Sequence, residues 1–149
     1  MTNTTHFAGP VDSANGFITG TAGIAANTES VTAGRTLTVA DHGMIFFLGD
    51  AASGNITLPA VTLTGFSVKV ICGFTITSDS GVLSAEGDNI SGVLTVNGAL
   101  IPALVEDQIN FIGNAALLGD WIEITSTGAA WVVSGQGSGA GSITATDPA

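Results

Sequence analysis

Charge is the scarcest ingredient of this sequence. Only two of its 149 residues are basic, Arg35 and Lys69, and twelve are acidic, for a formal net charge of −10. Charged residues make up 9% of the chain, against roughly 25% in an ordinary domain. Two cations cannot displace the counterions condensed on a nucleic acid, so nucleic acid is excluded as a partner. An anionic membrane surface is disfavoured for the same reason. Tyr is absent, and the aromatic set is seven Phe and two Trp. That set is thin for a cleft that stacks sugars. Cys72 is the single cysteine, so no internal disulfide can form. It lies in an apolar stretch and is read as a small core residue. No run approaches the ~18 apolar residues of a membrane span. Residues 1–10 lack the basic start and apolar run of a signal peptide, so none is expected.

What the sequence does hold is a dense strand signal. Short runs of β-branched and aromatic residues are separated by Gly, Asn, Asp and Ser. Strands are expected near Thr36–Val39, Met44–Leu48, Asn55–Leu58, Phe66–Cys72, Phe74–Thr77 and Val82–Ala85. Others are expected near Val93–Val96, Gln108–Ile112, Trp121–Thr125 and Ala130–Ser134. Alternation assigns faces in several. Leu37 and Val39 share one side. Phe66, Val68, Val70 and Cys72 oppose Ser67 and Lys69, and Ile122 and Ile124 oppose Trp121, Glu123 and Thr125. Turn chemistry falls at Asp41-His42-Gly43, Gly49-Asp50, Ser53-Gly54-Asn55, Asn97-Gly98 and Thr127-Gly128. The best helix candidate, Ala99–Asp107, is interrupted by Pro102. Strands every 8–12 residues without helices between them indicate a β-sandwich, jelly roll or barrel, and an all-β body, a β-sandwich or jelly roll, is expected over residues 35–134. Residues 1–34 are polar with sparse apolar positions and read as an extended N-terminal arm. Residues 135–149 have the Gly/Ser composition of a flexible C-terminal tail.

No arrangement of residues points to catalysis. His6 and His42 are the only histidines, and His42 sits in a turn, where a hydrogen-bonded structural role is the plain reading. No Gly-x-Ser-x-Gly elbow precedes a helix. His6, His42 and Cys72 lack the spacing of a zinc site. The Gly135–Gly141 run has no Walker lysine and no helix after it. Glu86-Gly87-Asp88-Asn89 and Glu106-Asp107 carry oxygen ligands suited to calcium, but neither has an EF-hand pattern, and acidic turn residues are ordinarily solvated. No metal, no cofactor and no enzymatic activity are expected. A chain with so little charge also leaves apolar surface for contacts between subunits.

Two stretches carry a resemblance. Phe7-Ala8-Gly9-Pro10-Val11-Asp12-Ser13-Ala14-Asn15-Gly16-Phe17 resembles the N-terminal stretch of virion structural proteins of tailed phages. A second, ordered set begins at Leu37-Thr38-Val39-Ala40-Asp41-His42-Gly43. It runs through Ile56-Thr57-Leu58-Pro59, Gly65-Phe66 and Gly119-Asp120-Trp121-Ile122-Glu123 to Gly128-Ala129-Ala130-Trp131-Val132-Val133-Ser134-Gly135. This layout resembles a β module of phage head decoration proteins and of some tail-fibre proteins. The resemblance implies a β-sandwich or jelly-roll subunit, typically a homotrimer. It would sit on the outer capsid surface of the virion as a cement protein, bridging subunits of the major capsid protein. The alternative it leaves is a tail-fibre or receptor-binding module, and a small carbohydrate-active enzyme is a distant third. Size favours decoration, since a fibre protein usually carries a long repetitive shaft. In the arm, Phe7, Pro10, Val11, Phe17 and Ile18 have no local core to bury them and are the expected capsid-binding residues. Each buried Phe, Val or Ile is worth roughly 1.5–3 kcal/mol before ordering costs, and Pro10 lowers those costs by fixing φ.

Overall fold

The computed structural model describes residues 27–49, 54–85 and 87–147. Among them the chain is all-β, with twelve strands in two mixed sheets and no α-helix. The strands are β1 (Thr28–Val31), β2 (Arg35–Thr36), β3 (Ile45–Leu48), β4 (Ile56–Thr57), β5 (Ser67–Cys72) and β6 (Ser80–Leu83). They continue with β7 (Ile90–Val96), β8 (Ala99–Glu106), β9 (Gln108–Phe111), β10 (Trp121–Ser126), β11 (Trp131–Gly137) and β12 (Ile143–Thr146). The larger sheet runs β1-β3-β5-β10-β11-β7-β8, and the smaller runs β12-β9-β6-β4-β2.

The first six strands alternate between the sheets. β1, β3 and β5 pair in parallel in one sheet, and β2, β4 and β6 pair in parallel in the other. The strands from β1 to β6 therefore trace three successive turns of a flattened coil. β7 also pairs in parallel, with β11, whereas the β7–β8, β10–β5, β10–β11, β6–β9 and β9–β12 ladders are antiparallel. Parallel ladders of this kind are foreign to a jelly roll of antiparallel Greek keys. Inward residues of both sheets join one apolar cluster. Phe46, Val70, Ile122, Trp131 and Leu94 enter it from the larger sheet, and Ile56, Val82, Ile109, Phe111 and Ile143 from the smaller. Phe66 and Trp131 meet edge to face in this core at 6.0 Å, the arrangement that aromatic quadrupoles favour.

Several local expectations need correction. The stretch Thr36–Val39 stops being a strand after Thr36. The Asp41 carboxylate accepts the Thr38 N–H at 2.7 Å, and the Asp41 N–H donates to the Thr38 carbonyl at 2.9 Å. These local bonds compete successfully with the ladder and close a 3-10 turn over Val39–Asp41. Leu37 is buried while Val39 is exposed, so the two do not share a side. Phe74–Thr77 is a bend rather than a strand. The helix candidate Ala99–Asp107 is β8, the longest strand, and it joins β7 through a two-residue turn. Asn97 and Gly98 both have positive φ, at 49° and 76°, as a type I′ hairpin requires. Residues 135–149 are not a free tail over the described part. Gly135 and Gly137 complete β11, and Ile143–Thr146 pairs with β9. A Cβ on Gly135 would lie 2.6 Å from the Trp121 carbonyl oxygen, so glycine here permits close strand approach. Thr28–Val31, assigned to the arm, is the edge strand of the larger sheet.

Candidate functional site

Several charged side chains hold backbone and loops. Arg35 on β2 bonds Glu29 on β1 and Asp41 in the 3-10 turn, with its guanidinium 5.2 Å from the Phe46 ring centroid. The hydrogen bond that Arg35 donates to Glu29, aided by the attraction of Asp41, holds the Arg35 pKa above its ordinary value against the opposing effect of burial. This trio fastens the first turn of the coil. Asp120 is buried. Its Oδ1 accepts the Ser138 N–H at 2.8 Å and the Ser138 hydroxyl at 2.6 Å, and its Oδ2 accepts the Leu117 N–H at 3.0 Å. Asp79 accepts the Gly113 N–H at 2.8 Å, and Asp88 the Val61 N–H at 3.2 Å. A carboxylate bound to backbone amides is a loop clasp. Cys72 is fully buried, its thiol donates to the Phe74 carbonyl at 3.0 Å, and burial pushes its pKa up. That makes it an inert core thiol. Among the described residues no three His, Cys, Asp or Glu side chains lie close enough to hold a metal ion.

His42 is a hydrogen-bonded turn residue. Its Nδ1 accepts the Ser67 N–H at 3.1 Å, so in the neutral ring the proton sits on Nε2. It borders an open groove of about 490 Å³ shared with Val39, Thr62, Leu63, Thr64, Gly65 and Phe66. The groove offers one imidazole and apolar walls, without a second titratable group.

The most distinctive surface lies at the other end of the larger sheet. β8 is its edge strand, and its sequence from Ala99 to Val105 is uninterrupted apolar. Pairing sets Thr95 opposite Leu100 and Val93 opposite Pro102. Leu94 opposite Ile101 and Gly92 opposite Ala103 fall on the inward side, where Leu94 and Ala103 are buried. The outward positions of β7 and β8 therefore present Val93, Leu100, Pro102 and Leu104. Near the strand's end the register slips between Ile90–Glu106 and Gly92–Ala103. Two residues, Leu104 and Val105, then stand against Ser91 alone, which makes a β-bulge. Val105 has φ 64°, a conformation that costs a β-branched residue about 1–3 kcal/mol. Its N–H donates to the Ser91 hydroxyl at 3.2 Å in place of a ladder bond. The bulge turns two consecutive apolar side chains outward, where an unbroken strand would have turned one inward.

The result is an apolar band that water covers. Leu100 is 74% exposed, Leu104 68%, Val105 58%, Val93 51%, and Val132 on the neighbouring β11 48%. Ser91, Thr95, Ser134 and Gln136 fill the gaps between them in register. No outward position of β11 or β7 carries a charge, and on β8 the only charged residue is Glu106 at its end. Charge returns on the next strands, where Lys69 and Glu123 face each other across β5 and β10. The Lys69 ammonium there sits 4.2 Å from the Trp121 ring centroid.

The expected capsid-binding residues Phe7, Pro10, Val11, Phe17 and Ile18, and His6 with them, lie outside the described residues. Sequence reasoning missed the β7–β8 surface. Seven apolar residues in succession are a surface signal when Pro102 forces the run onto a sheet edge, but the same run also fits an interrupted helix. No family model matches the chain, and neither a curated protein nor a solved structure matches it.

Proposed function

We propose that the chain is a structural subunit of a phage particle. It binds the outer surface of the capsid as a decoration protein, assembles as a homotrimer and bridges subunits of the major capsid protein. In this reading the two sheets face each other as the layers of a β-sandwich, and the N-terminal arm supplies the anchors Phe7, Pro10, Val11, Phe17 and Ile18. The observation that carries the reading is the uncharged apolar band on β7, β8 and β11. An all-β body displaying such a band, with Asp41, Asp79, Asp88 and Asp120 bound to backbone amides, is suited to docking rather than to chemistry. The resemblance of the ordered stretches from Leu37 to Gly135 to head decoration modules supplies the partner. A tail-fibre module is the second reading, favoured by the three parallel turns of coil from β1 to β6, since β-helical coils stack readily into shafts.

Undecorated shells and purified tails provide the test. The full chain should co-sediment with shells, saturably, and leave tails unlabelled. A truncation lacking residues 1–20 should lose most of its affinity for shells while keeping its oligomeric mass. Binding to tails alone would replace the decoration reading with the fibre reading. Unchanged shell binding by the truncation would move the anchor from the arm to the β-body.

A further inference from the structure

We infer that the outward face of β7 and β8, with Val132 of β11, is the surface through which copies of this chain meet one another. Leu100, Leu104 and Val105 of each copy gather at the symmetry axis. This deepens the reading of the chain as a self-assembling subunit and rests on it.

Three observations favour a second copy as the occupant. The first is charge. A subunit of net charge −10 repels its own kind, so copies associate at least cost where no charge is brought together. The outward positions of β11, β7 and β8 form such a region, with Glu106 only at its margin. The second is size. Five apolar side chains at half to three-quarters exposure make a patch in the class of about 300–600 Å², the largest that monomers ordinarily leave open. That is a large part of the ~800 Å² each partner contributes to a standard interface. The third is the bulge. Val105 is held at φ 64° and its amide is satisfied by Ser91, so that Leu104 and Val105 both point outward. Backbone strain that exposes apolar side chains has a use when something covers them.

Position in the sheet fits the axis. β8 is an edge strand, and a strand beside a rotation axis meets its own symmetry mates whatever the order of the remaining strands. Pro102 has no N–H to offer a passing strand, which disfavours edge-to-edge sheet extension and leaves contact through side chains.

The experiment compares the mass in solution, by light scattering at micromolar concentration, of the wild-type chain, Leu100→Glu/Leu104→Glu and Ser30→Glu. Ser30 lies exposed on β1, at the opposite edge of the same sheet. The double variant places unpaired carboxylates in the interface and should weaken association by roughly a hundredfold or more. It should run as a single subunit with the wild-type strand spectrum, while Ser30→Glu remains assembled. Should the double variant lose its strand spectrum, Val132→Glu gives the same reading. An assembled wild type whose face variants keep the full mass overturns this interface and leaves the assembly standing. A monomeric wild type overturns the assembly itself.

Discussion

At the scale of single residues, four aspartates serve the backbone. Asp41, Asp79, Asp88 and Asp120 each accept backbone N–H groups, and Arg35 ties Glu29 to Asp41. Cys72 shows the same economy in the core. Its thiol is buried and its pKa is raised, chiefly by that burial. The thiol should resist alkylation in native buffer and react at once in denaturant, which a timed thiol-labelling assay reads directly. The raised pKa has a consequence for stability. Above about pH 8.5 an exposed thiol loses its proton, so the unfolded chain binds fewer protons than the folded one and stability falls with pH. The contribution is fully present below that pH and is lost as the pH rises towards the folded pKa, with a slope of at most about 1.4 kcal/mol per pH unit. Cys72→Ala should remove this alkaline slope in urea titrations at pH 8 to 10. The core role of Cys72 and the turn role of His42 were both legible in the sequence, because each follows from the residue's immediate neighbours. The clasp made by Asp120 was not, since Ser138 approaches it only when β10 and β11 pair.

At the scale of elements, strands whose inward and outward residues alternate were the easiest to read. Val68, Val70 and Cys72 of β5 are buried, as are Ile122 and Ile124 of β10. Elements failed to read where something other than alternation decided the outcome. β8 lacks alternation because its outward face is apolar too, and β11 continues through glycines that strand packing requires. The 3-10 turn over Val39–Asp41 depends on a side chain capturing a backbone amide. Sheet order lay beyond reach, because the parallel pairing of β7 with β11 joins segments far apart in the chain. The bulge in β8 makes the sharpest prediction at this scale. Val105→Asn keeps an outward side chain and accepts positive φ with much less strain. At dilutions where subunits are apart, it should raise the stability of the single chain by about 1 kcal/mol. That corresponds to a rise in thermal midpoint of about 2–4 °C. In concentrated solution the same substitution removes an apolar contact and should weaken association. An unchanged midpoint at dilution would mean that Val105 is not strained.

At the scale of the whole molecule, two features belong together. The acidic excess makes copies repel one another, and the uncharged band on β7, β8 and β11 gives the chain a place to be covered without bringing acids together. Low charge was visible in the sequence and implied contact between subunits, whereas the location of that contact depends on which strand becomes the sheet edge. The most direct measurement of the proposed role is an electron-microscopy map of intact particles, compared with particles lacking this chain. The account predicts difference density on the outer shell, in three-fold clusters spanning neighbouring capsid subunits, with the tail unchanged. Difference density confined to the tail or its fibres, with a bare shell in both maps, would contradict it.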